Sequence, residues 1–150
     1  MHLWWKEEGL RDETRLYTPG DRLVTFDLRG VKSGVMICYD GDFPEMARSY
    51  AHLGCDILFW MNNRGSRGHK EVYLLAAQNS LIIAASCCCG PDEKGRICRG
   101  GSNITNYNAE LLAEIWDKEG IIYADVHPEE AARHRQTNPW YSGQRRDLYC

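Results

Sequence analysis

Apolar positions follow two rhythms along this chain. RLVTFDL (22–28) alternates apolar with polar residues, the period of a half-buried strand. GVMIC (34–38) is a continuous apolar run, as expected of a strand covered on both faces. EMARSYAHL (45–53) sets Met46, Ala47, Tyr50, Ala51 and Leu53 along one side of a helix. Pro44 suits that helix's first position, Asp42 its N-cap and Gly54 its stop. CDILFW (55–60) predicts the next strand, KEVYLLAAQNS (70–80) a second helix and LIIAASCCC (81–89) a third strand. MNNRGSRGH (61–69) and GPDEKGR (90–96) are polar loops. Strand, helix, strand, helix, strand is the α/β alternation. SNITN (102–106), ELLAEIW (110–116) and IIYADV (121–126) follow, joined by the turns NYNA and DKEG, and predict an antiparallel meander. Pro128 opens a short helix, PEEAARHR. The chain predicts a single domain, 1–150, whose aromatic tail 136–150 runs extended and forms an interface.

Composition narrows the function classes. At 150 residues the chain can bury a real core, and a net charge of −3 gives no basic field for nucleic acid. No apolar run approaches the ~20 residues that span a bilayer. MHLWWKEEGL lacks the plan of a signal peptide, which predicts a cytoplasmic protein with no membrane partner. The cysteine count is seven, an odd number, and Cys87, Cys88 and Cys89 are consecutive. Neighbours on a strand face opposite ways, so these pair poorly as disulfides and reduced thiols are expected. Cys87–Cys89 with Cys98 is a conceivable metal or redox module, but the C-x₂-C pairs of a zinc site are missing and no metal is predicted.

Candidate chemistry begins at VMICYDGDFPE (35–45). A strand ending in Cys38 and turning into a helix puts the thiol outside the carboxyl edge of the sheet, where ligands of open α/β sheets bind. Helix N-terminal amides there favour a thiolate and can hold an oxyanion. The opposing expectation is that Cys38 is a small buried hydrophobe. The other six cysteines have no helix start behind them and read as structural or incidental.

GVMICYDGDFPEMAR resembles the nucleophile region of the nitrilase superfamily, the carbon–nitrogen hydrolases, where I-C-x-D is followed by F/W-P-E and an Arg. GCDILFW, HKEVYLLAAQNSLIIAAS, GGSNITNYNAELLAEI and RRDLY are similar, in order, to later segments of that family. The resemblance implies part of an α-β-β-α sandwich of the nitrilase type that lacks its N-terminal half. It also implies a hydrolase of non-peptide C–N bonds, amidase-like, working through a cysteine thioester on a small-molecule amide, nitrile or carbamoyl substrate. No cofactor is implied, and a homo-oligomer is expected. By that register the family's lysine falls just before Met1, with its general-base glutamate farther upstream. Lys6 is expected to be an exposed lysine rather than a substitute. The alternative is a truncated or inactive member acting only as a binding, partner-dependent subunit.

Site residues carry over singly. Cys38 is the expected nucleophile. ETRLYTPGD (13–21) matches a second acid before a turn and points to Glu13, with Glu7 and Glu8 as rivals. Tyr39 offers its backbone N–H to the oxyanion. Asp40 is expected to brace the elbow, and Glu45 to pair with Arg48 on the helix. Trp60, Met61, Asn62 and Asn63 follow the next strand at the same edge and are expected to line the substrate pocket, Trp60 as an apolar wall. A half-sandwich exposes an apolar face, so self-association or a partner chain is expected to cover it.

Overall fold

Three parallel strands with apolar residues on both faces make the centre of the sheet. The computed structural model describes residues 17–63, 68–92, 95–145 and 147–148. β1 (Thr25–Leu28) runs antiparallel to β2 (Val31–Ile37); β2, β3 (Ile57–Asn62) and β4 (Ile82–Cys87) run parallel. β5 (Cys89–Pro91) and β7 (Leu111–Trp116) both pair antiparallel with β6 (Ile97–Thr105), which lies against β4. The seven strands follow the order β1-β2-β3-β4-β6-β5, with β7 also on β6.

Strand alternation sorts the two faces. Met36, Trp60 and Ala85 are in register across β2, β3 and β4, as are Gly34, Leu58 and Ile83. They form one core with Met46, Ala47, Tyr50 and Ala51 of α1 (Pro44–His52) and with Val72, Leu75 and Ala76 of α2 (Gly68–Asn79). Tyr50 lies flat on β2 because Gly34 has no side chain: a Cβ there would stand 2.4 Å from Tyr50 Cδ1. The same approach lets the Tyr50 hydroxyl donate to the Val35 carbonyl at 2.7 Å.

Ile57 and Ile82 point to the opposite face, where Ala131 of α3 (Pro128–Thr137), Val126 and Tyr107 cover them. One clamp fixes α3 to the amino edge of the sheet. Arg135, 7% exposed, donates to the Ser80 carbonyl at 2.9 Å and to the Asp56 carboxylate, each just before a strand. His134 Nδ1 meets the Ser80 hydroxyl at 2.8 Å.

The α/β class and most elements match the expectation, with four differences. The 121–126 segment is not a third meander strand. It alternates exposed and part-buried residues without joining a ladder, and Val126 packs against the cluster of Ile57 and Ile82. The run 81–89 breaks at Cys88, and Cys89–Pro91 turns into a hairpin with Ile97–Arg99 where a loop was expected. Asp42 does not cap α1: it ends a 3-10 turn, Cys38–Asp42, and Phe43 is the cap residue. The residue before a proline is pushed into extended backbone, and Phe43 at φ −108°, ψ 96° obeys that restriction. Finally, the tail is not extended throughout. It folds into α4 (Pro139–Ser142), and the Tyr141 hydroxyl donates to Ala51 at 3.3 Å and meets His52 Nδ1 at 3.1 Å. No helix among the described residues is long and apolar enough to cross a membrane.

Candidate active site

The parallel register brings Ile37, Met61 and Ser86 level, so the chain leaves β2, β3 and β4 at one edge. Cys38 is the first residue off β2 and is half-buried. Its φ is +45°, a left-handed conformation unusual for a residue with a Cβ. Such a conformation costs about 1–3 kcal/mol and persists only where surrounding contacts determine it.

Three contacts do so. The Ile37 N–H donates to Asp40 Oδ2 at 2.9 Å, so the buried Asp40 carboxylate ties the turn back to the strand end. The Trp60 indole N–H donates to the Cys38 carbonyl at 3.1 Å. The Phe43 N–H closes the turn on the Asp40 carbonyl at 3.2 Å. Asp40 is thus the brace expected of it. Tyr39 is half-buried and stands edge-on to Phe43, centroids 5.2 Å apart.

The β3 residues divide. Trp60 is 0% exposed and lies in the core beneath the turn, not on an open pocket wall. Its side chain shares a face with Met36 and Ala85, the face that α1 and α2 cover. Met61, on the opposite side of the strand, is 40% exposed. Asn62 Nδ2 donates to the Trp60 carbonyl at 3.4 Å, while its Oδ1 is buried and accepts no hydrogen bond from the described residues. Asn63 is exposed and accepts the Cys88 thiol proton at 2.7 Å.

Cys87 and Cys88, read from the sequence as structural or incidental, also lie at this edge. Asn62 and Cys87 are register partners. Cys87 and Cys89 line a cleft of about 250 Å³ with Ser102, Ile115, Lys118 and Glu119. The signal was available: strands of equal length, started in register, end together. The Cys88 and Cys98 thiols also hydrogen-bond, which with partial burial pushes the Cys98 thiol up. Glu13, Glu7, Glu8 and Lys6 lie outside the described residues. No group of three metal-ligating side chains occurs among the described residues.

A thiol on a braced, left-handed turn at the carboxyl edge of parallel strands is an arrangement for covalent catalysis. Residues 1–136 match the carbon–nitrogen hydrolase family. The chain belongs to the carbon–nitrogen hydrolase family. Among its carbon–nitrogen hydrolase relatives, omega-amidase NIT2 of Homo sapiens is 32% identical over 143 residues, 92% of this chain and 52% of that protein. The 2-oxoglutaramate amidase of Bacillus subtilis is 33% identical over 144 residues, 93% of this chain and 55% of that protein. Nit3 of Saccharomyces cerevisiae, a solved nitrilase-superfamily structure, superposes with a TM-score of 0.77 at 26% identity, covering 91% of this chain and 51% of that one. The chain therefore spans about half the length of the curated carbon–nitrogen hydrolases it matches.

Proposed function

We propose that this chain carries the nucleophile of a thiol-dependent amide hydrolase, with Cys38 attacking the carbonyl of a small-molecule amide or N-carbamoyl group. The reading is supported above all by the position of Cys38, held in left-handed backbone at the carboxyl edge of β2 by Asp40 and Trp60. Attack by Sγ gives a tetrahedral oxyanion, for which the Tyr39 N–H is the nearest backbone donor after the nucleophile. Collapse breaks the C–N bond, releases the protonated amine and leaves a thioester on Cys38. Water then adds to the thioester, breaks the C–S bond and frees the acid. Splitting one hard cleavage into two easier ones is the gain.

A carboxylate must take the thiol proton and later activate water. In the family register that glutamate and the oxyanion-binding lysine align before Met1, and Glu13 is assigned the orienting role between them and Cys38. Met61, Asn62 and Asn63 are assigned to the substrate side. The names of the relatives make a terminal amide such as 2-oxoglutaramate the first substrate to try. A homo-oligomeric cytoplasmic protein is part of the same proposal. A second reading is a partner-dependent subunit without turnover of its own.

Ammonia release from 2-oxoglutaramate, with and without Cys38→Ala, tests the first reading. Turnover is expected to fall about 10³-fold or more in the variant. Limiting iodoacetamide tests the thiol without turnover: Cys38 is expected to label ahead of Cys88 and Cys98. Labelling no faster than those two overturns the nucleophile assignment; preferred labelling with no ammonia release favours the second reading.

A further inference from the structure

Trp60 joins the core to the nucleophile's own peptide. It is 0% exposed, and its indole N–H reaches the Cys38 carbonyl at 3.1 Å. A core position fixed only by burial would accept any large apolar ring; this one also places a donor on the strained residue. The turn is shaped to receive it. A Cβ on Gly41 would stand 1.9 Å from Trp60 Cζ2 and 2.5 Å from Cε2, so only a glycine lets the six-membered ring slide under the turn. Gly41 is itself buried, inside the 3-10 turn that begins at Cys38. A bulky ring in β3 and a missing side chain in the turn therefore complement each other, Trp60 against Gly41.

The carbonyl matters because of where it points. At φ +45° the Cys38 peptide turns its oxygen down into the apolar layer under the sheet edge, while the strand stops and the thiol stays half-buried at the rim. A buried carbonyl without a donor carries a desolvation cost of its own. Flipping Cys38 back to extended backbone would relieve both that cost and the φ strain, and would carry the side chain away from the edge. We propose that Trp60 is a positioning residue: its indole N–H, admitted by Gly41, holds Cys38 in the one backbone state that presents the thiol. The inference rests on Cys38 being the nucleophile, and it assigns Trp60 to orientation rather than to the substrate.

The test compares two replacements of Trp60 in the full chain. Trp60→Phe removes the donor and part of the ring. Substitution of 3-benzothienylalanine, introduced by codon suppression, keeps the fused-ring shape and removes the donor alone, so it reports on the hydrogen bond even where Trp60→Phe unfolds. The readout is the rate of carbamidomethylation of each cysteine by iodoacetamide, followed by peptide mass spectrometry from pH 6 to 10. The isostere is expected to slow Cys38 about tenfold. Cys88 and Cys98 should keep their rates. The Cys38 pH–rate curve should drop in height without moving along the pH axis, because fewer molecules hold the reactive backbone state. Where amide turnover is measurable, kcat should fall by the same factor with KM unchanged. An isostere that labels at the wild-type rate overturns the role of Trp60 while leaving Cys38 as the nucleophile. A wild-type Cys38 that labels no faster than Cys88 removes the nucleophile assignment itself, so the two failures are distinguishable. Gly41→Ala should reproduce the Cys38 slowing from the other side of the contact, by pushing the ring away; a variant that keeps the wild-type rate also counts against the proposal.

Discussion

Tyr50 and Cys55 make this fold sensitive to alkaline pH. Both are buried, and burial is the main reason each holds its proton more tightly than usual. In the unfolded chain they ionise near their ordinary values of 10.0 and 9.0. Both are raised in the folded state, so their contribution to stability is fully present below about pH 8 and is lost as pH rises. The midpoint of thermal unfolding should therefore hold from about pH 7 to 8 and fall above that. Tyr50→Phe should flatten the part of the fall above pH 10 while lowering the neutral-pH midpoint, because the Val35 carbonyl loses its donor. At this scale Cys38 was legible in the sequence, since an apolar run that stops at Cys before Asp-Gly-Asp-Phe-Pro marks a strand end and a helix start. Trp60 was legible only as a large apolar residue. Its bond to Cys38 depends on the register between β2 and β3, which no local pattern encodes.

Among the elements, α3 shows the same division. Pro128 announced the helix, and nothing in its sequence announced where it docks. The docking rests on Arg135, which satisfies the Ser80 carbonyl and the Asp56 carboxylate at once. Arg135→Ala leaves a partly buried carboxylate and a buried carbonyl without their cation, and should cost about 3–5 kcal/mol in urea unfolding. Arg135→Lys keeps the charge but cannot fork to both acceptors, so it should fall between wild type and the alanine variant. Unchanged unfolding midpoints in both would show that α3 is held by Ala131 and its apolar neighbours alone. The 121–126 segment misled for a physical reason. Its residues alternate between exposed and part-buried as those of a half-buried strand do, so the period-2 signal is the same although no ladder forms.

For the whole molecule, the sequence carried the α/β class and the family, because five motifs in order are a stronger signal than any one of them. It did not carry the covering of the second face, which α3 and Val126 share at Ile57 and Ile82. β1 carries exposed apolar side chains, Phe26 at 39% and Leu28 at 42%, with Val24 at 51% just before it. Phe26 stacks on Phe59 of β3, centroids 6.0 Å apart, so the apolar surface is continuous from the edge strand inward. Surface of this kind on a short chain favours association. Gel filtration should show a species larger than the 17.2 kDa monomer, growing with concentration. Leu28→Lys should shift it toward the monomer; a monomer at every concentration would refute the expectation.

The clamp at Arg135 also orders events in time. The bonds that shape the Cys38 turn join residues three and 22 apart, whereas Arg135 reaches Asp56 across 79. Closing a longer loop costs more chain entropy, and during synthesis Arg135 leaves the ribosome long after Trp60. A nascent chain thus displays its sulfur while the opposite edge of the sheet still gapes, and an electrophile met at that moment would tag a protein not yet finished.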